Sequence, residues 1–135
     1  MKTLIVEDDR TSQIVLRKIL EKYGECHAAE DGREALELFT KALDQGLPYD
    51  LVCLDYLMPE KDGEEVITEI RGMEEAGGIS GDRSVKIIVI TGIVDEDNAF
   101  AQLRKLCNAY LEKPIDRLRM TDILRGLGLV TDTRE

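Results

Sequence analysis

Five short apolar runs alternate along the chain with longer segments in which apolar residues recur every three or four positions. The short runs have the length of single β-strands, whereas the longer segments have the period of α-helices. Glycine, proline and acidic residues separate the two kinds of segment. The apolar runs lie at residues 4–6, 26–29, 51–54, 87–90 and 109–111.

Each apolar run is followed by one predicted helix. The first helix spans about residues 9–23, the second follows Gly32 and ends at Gly46, the third begins near Gly63, the fourth near Asp95, and the fifth follows Pro114. Residues 72–84 contain four glycines, which predicts a frayed helix end and a flexible loop. The first helix is predicted from Ile14, Val15, Ile19 and Leu20, and the fifth from Ile115, Leu118, Ile123, Leu124 and Leu127.

This alternation predicts an α/β fold of five βα units around a parallel sheet. Strands that are almost continuously apolar need helices on both faces, which right-handed crossovers provide. In such sheets the ligand site lies beyond the carboxyl ends of the strands. A chain of 135 residues has the size of one domain. We therefore expect one domain over residues 1–128, a short tail over 129–135, and no output domain.

Composition excludes several classes of function. A formal net charge of -10 argues against nucleic-acid binding, because phosphate backbones are held by clustered Lys and Arg. No apolar run approaches the roughly 20 residues of a membrane span, and the first residues lack a signal-peptide pattern, so we expect a cytoplasmic protein without membrane contact. The widely spaced Cys26, Cys53 and Cys107 are predicted to be buried, reduced thiols. His27 is the only histidine, which excludes a metal cluster of several histidines.

Acidic residues follow two of the predicted strands. Glu7 and Asp8 follow the first strand, and Asp55 ends the third. Because parallel strands end at the same edge of a sheet, these carboxylates should lie close together and repel one another unless a cation compensates. Mg²⁺ is the expected ion, since it prefers oxygen ligands. Simpler interpretations are a turn residue for Asp55 and an acidic helix start for the group that includes Asp9.

Thr91 and Lys113 follow the fourth and fifth strands. The Lys113 ammonium could hold an anion on Asp55, or it could be a solvated surface charge. Thr91 could donate its hydroxyl to the same anion, or it could simply end its strand. Together, a nucleophilic carboxylate, a metal site, a cation and a hydroxyl are the groups that phosphoryl transfer requires.

As a set, these motifs resemble the receiver domain of the two-component response regulator family. The resemblance covers almost the whole chain and implies that residues 1–128 are a receiver domain. The implied fold is flavodoxin-like, a doubly wound parallel sheet of five strands in the order 2-1-3-4-5. The motifs are LIVEDD at 4–9, AEDGREAL at 29–36, DYLMP at 55–59 with DG at 62–63, ITG at 90–92, and YLEKP at 110–114.

The resemblance implies a phosphoryl site. Asp55 matches the phospho-acceptor, which attacks the phosphohistidine of a sensor histidine kinase or of a histidine phosphotransfer protein. Asp8 resembles the direct Mg²⁺ ligand, and Glu7 resembles its acidic neighbour, which acts largely through water. Leu57 matches the residue whose backbone carbonyl binds the metal.

The resemblance also implies a switch. Thr91 and Lys113 match the pair that hold the phosphoryl oxygens, and Tyr110 matches the aromatic residue that turns inward when the threonine moves. A downstream protein would bind the face formed by the fourth helix, fifth strand and fifth helix. The Lys113–Pro114 bond corresponds to a peptide bond that is usually cis in the family.

Three residues depart from the family pattern in ways that predict behaviour. Lys61 stands where an apolar residue is common, so the resemblance does not define the fine shape of the loop after Asp55. Leu57 and Ile93 correspond to positions that flank the phosphoryl group, and neither side chain can hydrogen-bond an attacking water. We therefore predict slow self-dephosphorylation, which Leu57→Asn should accelerate.

Four functions fit these features to different degrees. The first is a single-domain phosphorylation switch that modifies itself and has no separate turnover substrate. A phosphorelay intermediate, which passes the group on to another histidine, is the second. A Mg²⁺-dependent phosphatase with an aspartyl intermediate would favour a second acid where Leu57 stands, and an adaptor that is never phosphorylated would not need the complete site.

Overall fold

The computed structural model describes residues 1–56, 63–92 and 104–130, in which five parallel strands form one sheet. The sheet order is β2-β1-β3-β4-β5, and every neighbouring pair is parallel. This confirms the expected flavodoxin-like α/β fold and its strand order. The strands are β1 Thr3–Val6, β2 Cys26–Ala29, β3 Leu51–Asp55, β4 Lys86–Thr91 and β5 Ala109–Glu112.

Helices connect the strands where the helical period predicts them. The helices are α1 Arg10–Leu20, α2 Gly32–Asp44, α3 Gly63–Ala76, α4 at residues 104–106, and α5 Arg117–Gly126, with 3₁₀ turns at Glu21–Tyr23 and Gly81–Arg83. The predicted start of the fourth helix near Asp95 lies outside the described residues. Within the described residues, every helix is too short or too polar to cross a membrane.

The core has two layers because side chains of the strands alternate between the two faces of the sheet. On one face, Leu4, Val52 and Leu54 pack with α2 and α3. On the other face, Ile5, Cys53 and Ile88 pack with α1 and α5. All of these side chains are fully buried, and each such burial contributes roughly 1.5–3 kcal/mol. The central strands β1, β3 and β4 are therefore buried up to their carboxyl ends.

Some apolar residues of α1 and α5 do not pack against the sheet. Ile14 is 50% exposed and Val15 is 37% exposed, while Leu118 is 73% exposed. The face of α1 toward the sheet is set instead by Leu16, Ile19 and Leu20, because positions three and four apart share one side of a helix. Leu118 lies off the face of α5 that buries Met120 and Leu124.

The glycine-rich segment after Gly72 is more ordered than the sequence predicts. Helix α3 continues to Ala76, and Glu74 within this segment is buried. The Glu74 carboxylate accepts hydrogen bonds from the Val85 amide at 2.6 Å and from Arg71 at 2.7 Å. These bonds fasten the last turn of α3 to the start of β4.

The three cysteines are free, as expected. Cys26 and Cys53 are buried, and Cys107 is half-buried. Burial raises the pKa of all three thiols. Protonated thiols are poor nucleophiles and poor metal ligands, which agrees with a packing role.

Candidate functional site

The register of the sheet brings the predicted acids together. Val6 of β1 pairs with Leu54 of β3, so that Glu7 and Asp55 follow at the same level of neighbouring strands. On the other side of β3, Asp55 pairs with Ile90, one residue before Thr91. The site therefore forms at the carboxyl edge of the three central strands, as a parallel topology requires.

Three carboxylates converge at this edge. Glu7, Asp8 and Asp55 each place one carboxylate oxygen within 4.8 Å of the others. Glu7 and Asp55 are buried, whereas Asp8 is exposed to solvent. The cluster thus opens on one side, where a ligand can reach it.

Glu7 is a buried carboxylate beside a second one. Burial, together with the neighbouring Asp55 carboxylate, raises the pKa of Glu7 to about 8. Its Oε2 accepts a hydrogen bond from the Asp9 amide at 3.1 Å. Its Oε1 is buried and accepts no hydrogen bond from the described residues. A cation at this point would satisfy that oxygen and displace the proton.

Lys113 brings one positive charge into the cluster. Its Nζ lies 3.2 Å from Asp55 Oδ2 and 3.9 Å from Glu7 Oε1. Burial lowers the pKa of Lys113, but attraction to Asp55 and Glu7 outweighs burial, and the pKa lies above its ordinary value. Lys113 is therefore a charged partner of Asp55, and the proton held by Glu7 limits the repulsion among the three carboxylates in the absence of a cation.

Thr91 lies on β4, next to the strand of Asp55, and Tyr110 lies on β5, one strand further out. Thr91 is buried at the end of β4, and its carbonyl accepts a hydrogen bond from the Lys113 amide at 2.8 Å. Tyr110 of β5 is half-buried, with the Arg104 guanidinium 5.2 Å from its ring centroid. Arg104 Nη2 also donates to the Tyr110 hydroxyl at 3.1 Å.

Asp9 has the structural role that its position predicts. Its side chain caps α1 by accepting hydrogen bonds from the amide and hydroxyl of Ser12, at 3.1 and 2.8 Å. These bonds lower the pKa of Asp9.

The Lys113–Pro114 bond is cis, as the resemblance implies. The carbonyl of Leu57, expected at the metal, and the side chains of Lys61 and Ile93 lie outside the described residues.

A family model of the response regulator receiver domain matches residues 3–125. The chain belongs to this family. Among curated proteins, this receiver domain is 31% identical to the chemotaxis protein CheY of Halobacterium salinarum, over 91% of the chain and 92% of that protein. It is also 31% identical to probable histidine kinase 2 of Oryza sativa subsp. indica, over 94% of the chain. The chain spans 13% of the length of that kinase.

Solved structures agree with this membership. The receiver domain of the histidine kinase CKI1 from Arabidopsis thaliana, solved in complex with Mg²⁺ and BeF₃⁻, matches with a TM-score of 0.76 and 29% identity. The match covers 94% of the present chain and 89% of the CKI1 chain. The present chain therefore shares its fold with a receiver domain that was solved with Mg²⁺ and BeF₃⁻ bound.

The donor set of the present receiver domain fits a hard divalent cation. Carboxylate oxygens are the ligands that Mg²⁺ prefers, and an exposed Asp8 leaves room for the waters that Mg²⁺ keeps. The buried oxygen of Glu7 without a hydrogen bond is the feature that a cation would complete. Glu7, Asp8 and Asp55 are therefore the residues able to hold the metal.

Two residues beside the site make contacts that the motifs do not indicate: Gln13, which lies outside them, and Gly63, which lies within one. The Gln13 amide donates to the Glu7 carbonyl at 2.6 Å, and a Cβ at Gly63 would lie 2.9 Å from the Tyr56 carbonyl. Gln13 precedes the buried Leu16 by three residues, so it lies on the apolar side of α1. A polar side chain on the buried side of a helix usually has a hydrogen-bond partner, and this position is the sequence signal that could have indicated the contact. Gly63 is separated in sequence from Tyr56 by six residues, so the motif does not indicate that the two are in contact.

Proposed function

We propose that this receiver domain accepts a phosphoryl group on Asp55 in a Mg²⁺-dependent reaction, and that phosphorylation alters a protein-binding surface. The observation that carries the proposal is the convergence of Glu7, Asp8 and Asp55 within 4.8 Å, with Lys113 3.2 Å from Asp55. The donor would be the phosphohistidine of a sensor histidine kinase or of a histidine phosphotransfer protein. The reaction would take place in the cytoplasm.

In the proposed transfer, a carboxylate oxygen of Asp55 forms the new P–O bond while the P–N bond of the donor histidine breaks. The imidazole leaves with the electron pair of that bond. Lys113 is placed to balance charge on the phosphoryl oxygens, because its ammonium already contacts Asp55. Bound Mg²⁺ would neutralise further charge on the same oxygens.

The product is an altered protein, since no separate substrate is turned over. A phosphoryl group adds about two negative charges at the end of β3. Thr91 and Lys113 then favour the state in which they close on these charges, which is a shift between two populations. Tyr110, on the neighbouring strand, would change position with Thr91 and alter the face formed by α4, β5 and α5.

Intact-mass measurement tests the proposal. The protein is incubated with Mg²⁺ and a small phosphodonor such as acetyl phosphate, and one phosphoryl adduct is expected. Asp55→Asn should give no adduct, while the matched control Asp82→Asn, an exposed aspartate of the second 3₁₀ turn, should react like the wild type. No adduct on the wild type would refute phospho-acceptance, and rapid turnover of many phosphoesters would indicate a phosphatase.

A phosphorelay intermediate is the second candidate, supported by the similarity to receiver segments within long histidine kinases. Such a protein would return the phosphoryl group from Asp55 to the histidine of a phosphotransfer protein. Radiolabelled, phosphorylated protein mixed with candidate phosphotransfer proteins would reveal this step. Transfer of label to a histidine supports the relay, and loss of label only to water supports the terminal switch.

A further inference from the structure

We infer that Gln13 is a positioning residue of the metal site, and this inference rests on the proposed function. Its Nε2 donates to the Glu7 carbonyl oxygen at 2.6 Å. A carbonyl can only accept, so the amide nitrogen of Gln13 must face it. The bond joins the first turns of α1 to the loop that carries both Glu7 and Asp8.

The Glu7 carbonyl lies where the sheet no longer orders the chain. The last paired residue of β1 is Val6, and the amide of Glu7 still donates to Ala29 of β2 at 3.0 Å. Beyond that amide the chain leaves the ladder and turns toward α1. Gln13 therefore supplies, from a side chain, the kind of bond that a neighbouring strand supplies to the residues before it.

This bond constrains Asp8 through covalent geometry. The carbonyl of Glu7 and the amide of Asp8 belong to one planar peptide unit, so fixing the carbonyl fixes the plane from which Asp8 projects. Asp8 is exposed, in contrast to the buried Glu7 and Asp55. Its position therefore depends on the backbone more than on packing around its side chain, and the Gln13 side chain holds this backbone together with the bond from the Asp9 amide to Glu7 Oε2.

The helix that carries Gln13 is itself well anchored. The Asp9 side chain caps its first turn through Ser12, and Leu16 and Leu20 bury its inner face. The Gln13 side chain thus ties the loop of Glu7 and Asp8 to this anchored helix. Without the side-chain amide of Gln13, Asp8 would sample more orientations, and ordering Asp8 on metal binding would cost conformational entropy.

The test is Mg²⁺ affinity of the unphosphorylated protein, measured by displacement of Mn²⁺ with free Mn²⁺ followed by electron paramagnetic resonance. Gln13→Met keeps the length and helix propensity of the side chain but removes the donor. Loss of one hydrogen bond should raise the Kd for Mg²⁺ about three- to tenfold. The control Ile14→Ala, on the exposed side of the same helix, should leave the Kd unchanged.

A second readout separates positioning from a purely structural role. At saturating Mg²⁺, Gln13→Met should be phosphorylated by acetyl phosphate at nearly the wild-type rate, because the defect lies in assembling the site. A lower thermal midpoint with an unchanged Kd for Mg²⁺ would overturn the inference. Gln13→Ala is measured alongside, so that the result does not depend on the folding of one variant. If the wild type binds neither Mn²⁺ nor Mg²⁺, the proposed function itself fails.

Discussion

The two ends of the sheet both carry buried charged side chains, and they differ in how completely those charges are satisfied. At the amino end, Arg71 and Glu74 pair at 2.7 Å, and both oxygens of the Glu74 carboxylate accept hydrogen bonds. At the carboxyl end, Glu7 and Asp55 share the ammonium of Lys113, with Asp8 in the same cluster, and one buried oxygen of Glu7 accepts no hydrogen bond from the described residues.

This difference distinguishes a structural cluster from a ligand site. Arg71 donates to the Leu106 carbonyl, the Val85 carbonyl and the Asn108 side chain, each at 2.9 Å. These partners connect α3, α4 and the starts of β4 and β5 into one unit. Among the described residues the amino-end cluster is fully paired, whereas the carboxyl-end cluster places three carboxylates around one ammonium and keeps Glu7 protonated until a cation replaces the proton.

The largest expected effect is on stability, from breaking the amino-end cluster. Glu74→Ala leaves Arg71 without its counter-charge in a mostly buried position, which should lower the free energy of unfolding by about 3 kcal/mol. Chemical denaturation measures this. The control Asp122→Ala removes an exposed ion pair with Arg125 and should change stability by less than about 1 kcal/mol. Equal effects of the two variants would contradict a stabilising role for the amino-end cluster.

The second prediction concerns the pH dependence of the carboxyl end without metal. Since the pKa of Glu7 is raised from 4.5 to about 8, the folded state holds a proton that the unfolded state loses near pH 4.5. The stability from this proton is fully present below pH 4.5 and is lost as pH rises to about 8. Glu7→Gln should flatten the stability profile across this window.

Denaturation at several pH values in the presence of a chelator measures the profile. The matched control is Glu37→Gln, an exposed position on α2, which should keep the wild-type profile. A slope that persists in Glu7→Gln would mean that another group titrates in this window. Addition of Mg²⁺ to the wild type near pH 7 should release a proton, since the cation replaces it.

The third prediction uses two glycines of α3. A Cβ at Gly63 would meet the Tyr56 carbonyl at 2.9 Å and Leu54 Cδ2 at 3.0 Å, whereas a Cβ at Gly72 would meet nothing within 4 Å. Gly63→Ala should therefore cost about 1–3 kcal/mol and displace the segment after Asp55, which slows phosphorylation. Gly72→Ala should stabilise the protein by about 0.5–1 kcal/mol. Denaturation and the initial rate with acetyl phosphate compare the two.

The carboxyl end could be predicted from the sequence because its residues follow directly from strand endings. Glu7, Asp55, Thr91 and Lys113 each end or follow an apolar run, and parallel pairing then places them at one edge. Their distances and the raised pKa of Glu7 needed coordinates, because burial depends on how the flanking helices close over the edge.

The amino-end cluster was not predictable in the same way. Arg71 reaches Asn108 across 37 residues, and nothing in the local pattern at either position indicates that contact. The four glycines between residues 72 and 84 even suggested a frayed end, since propensity carries no information on the buried bond from Val85 to Glu74. Likewise, periodicity placed Ile14 and Leu118 on their helices without indicating that they face solvent.

The smallest predicted effect concerns the lifetime of the phosphorylated form. Leu57 follows Asp55 by two residues and lies outside the described residues, and an apolar side chain there offers no hydrogen bond to an attacking water. Leu57→Asn should shorten the lifetime about two- to tenfold, the range expected from one hydrogen bond made in the transition state. Leu57→Met is the apolar control, and decay of the phosphoryl adduct is followed by intact mass. If both variants decay at the wild-type rate, the polarity of the side chain at position 57 does not limit hydrolysis. The lifetime of the phosphoryl group would then be set by the other groups at the carboxyl end of the sheet.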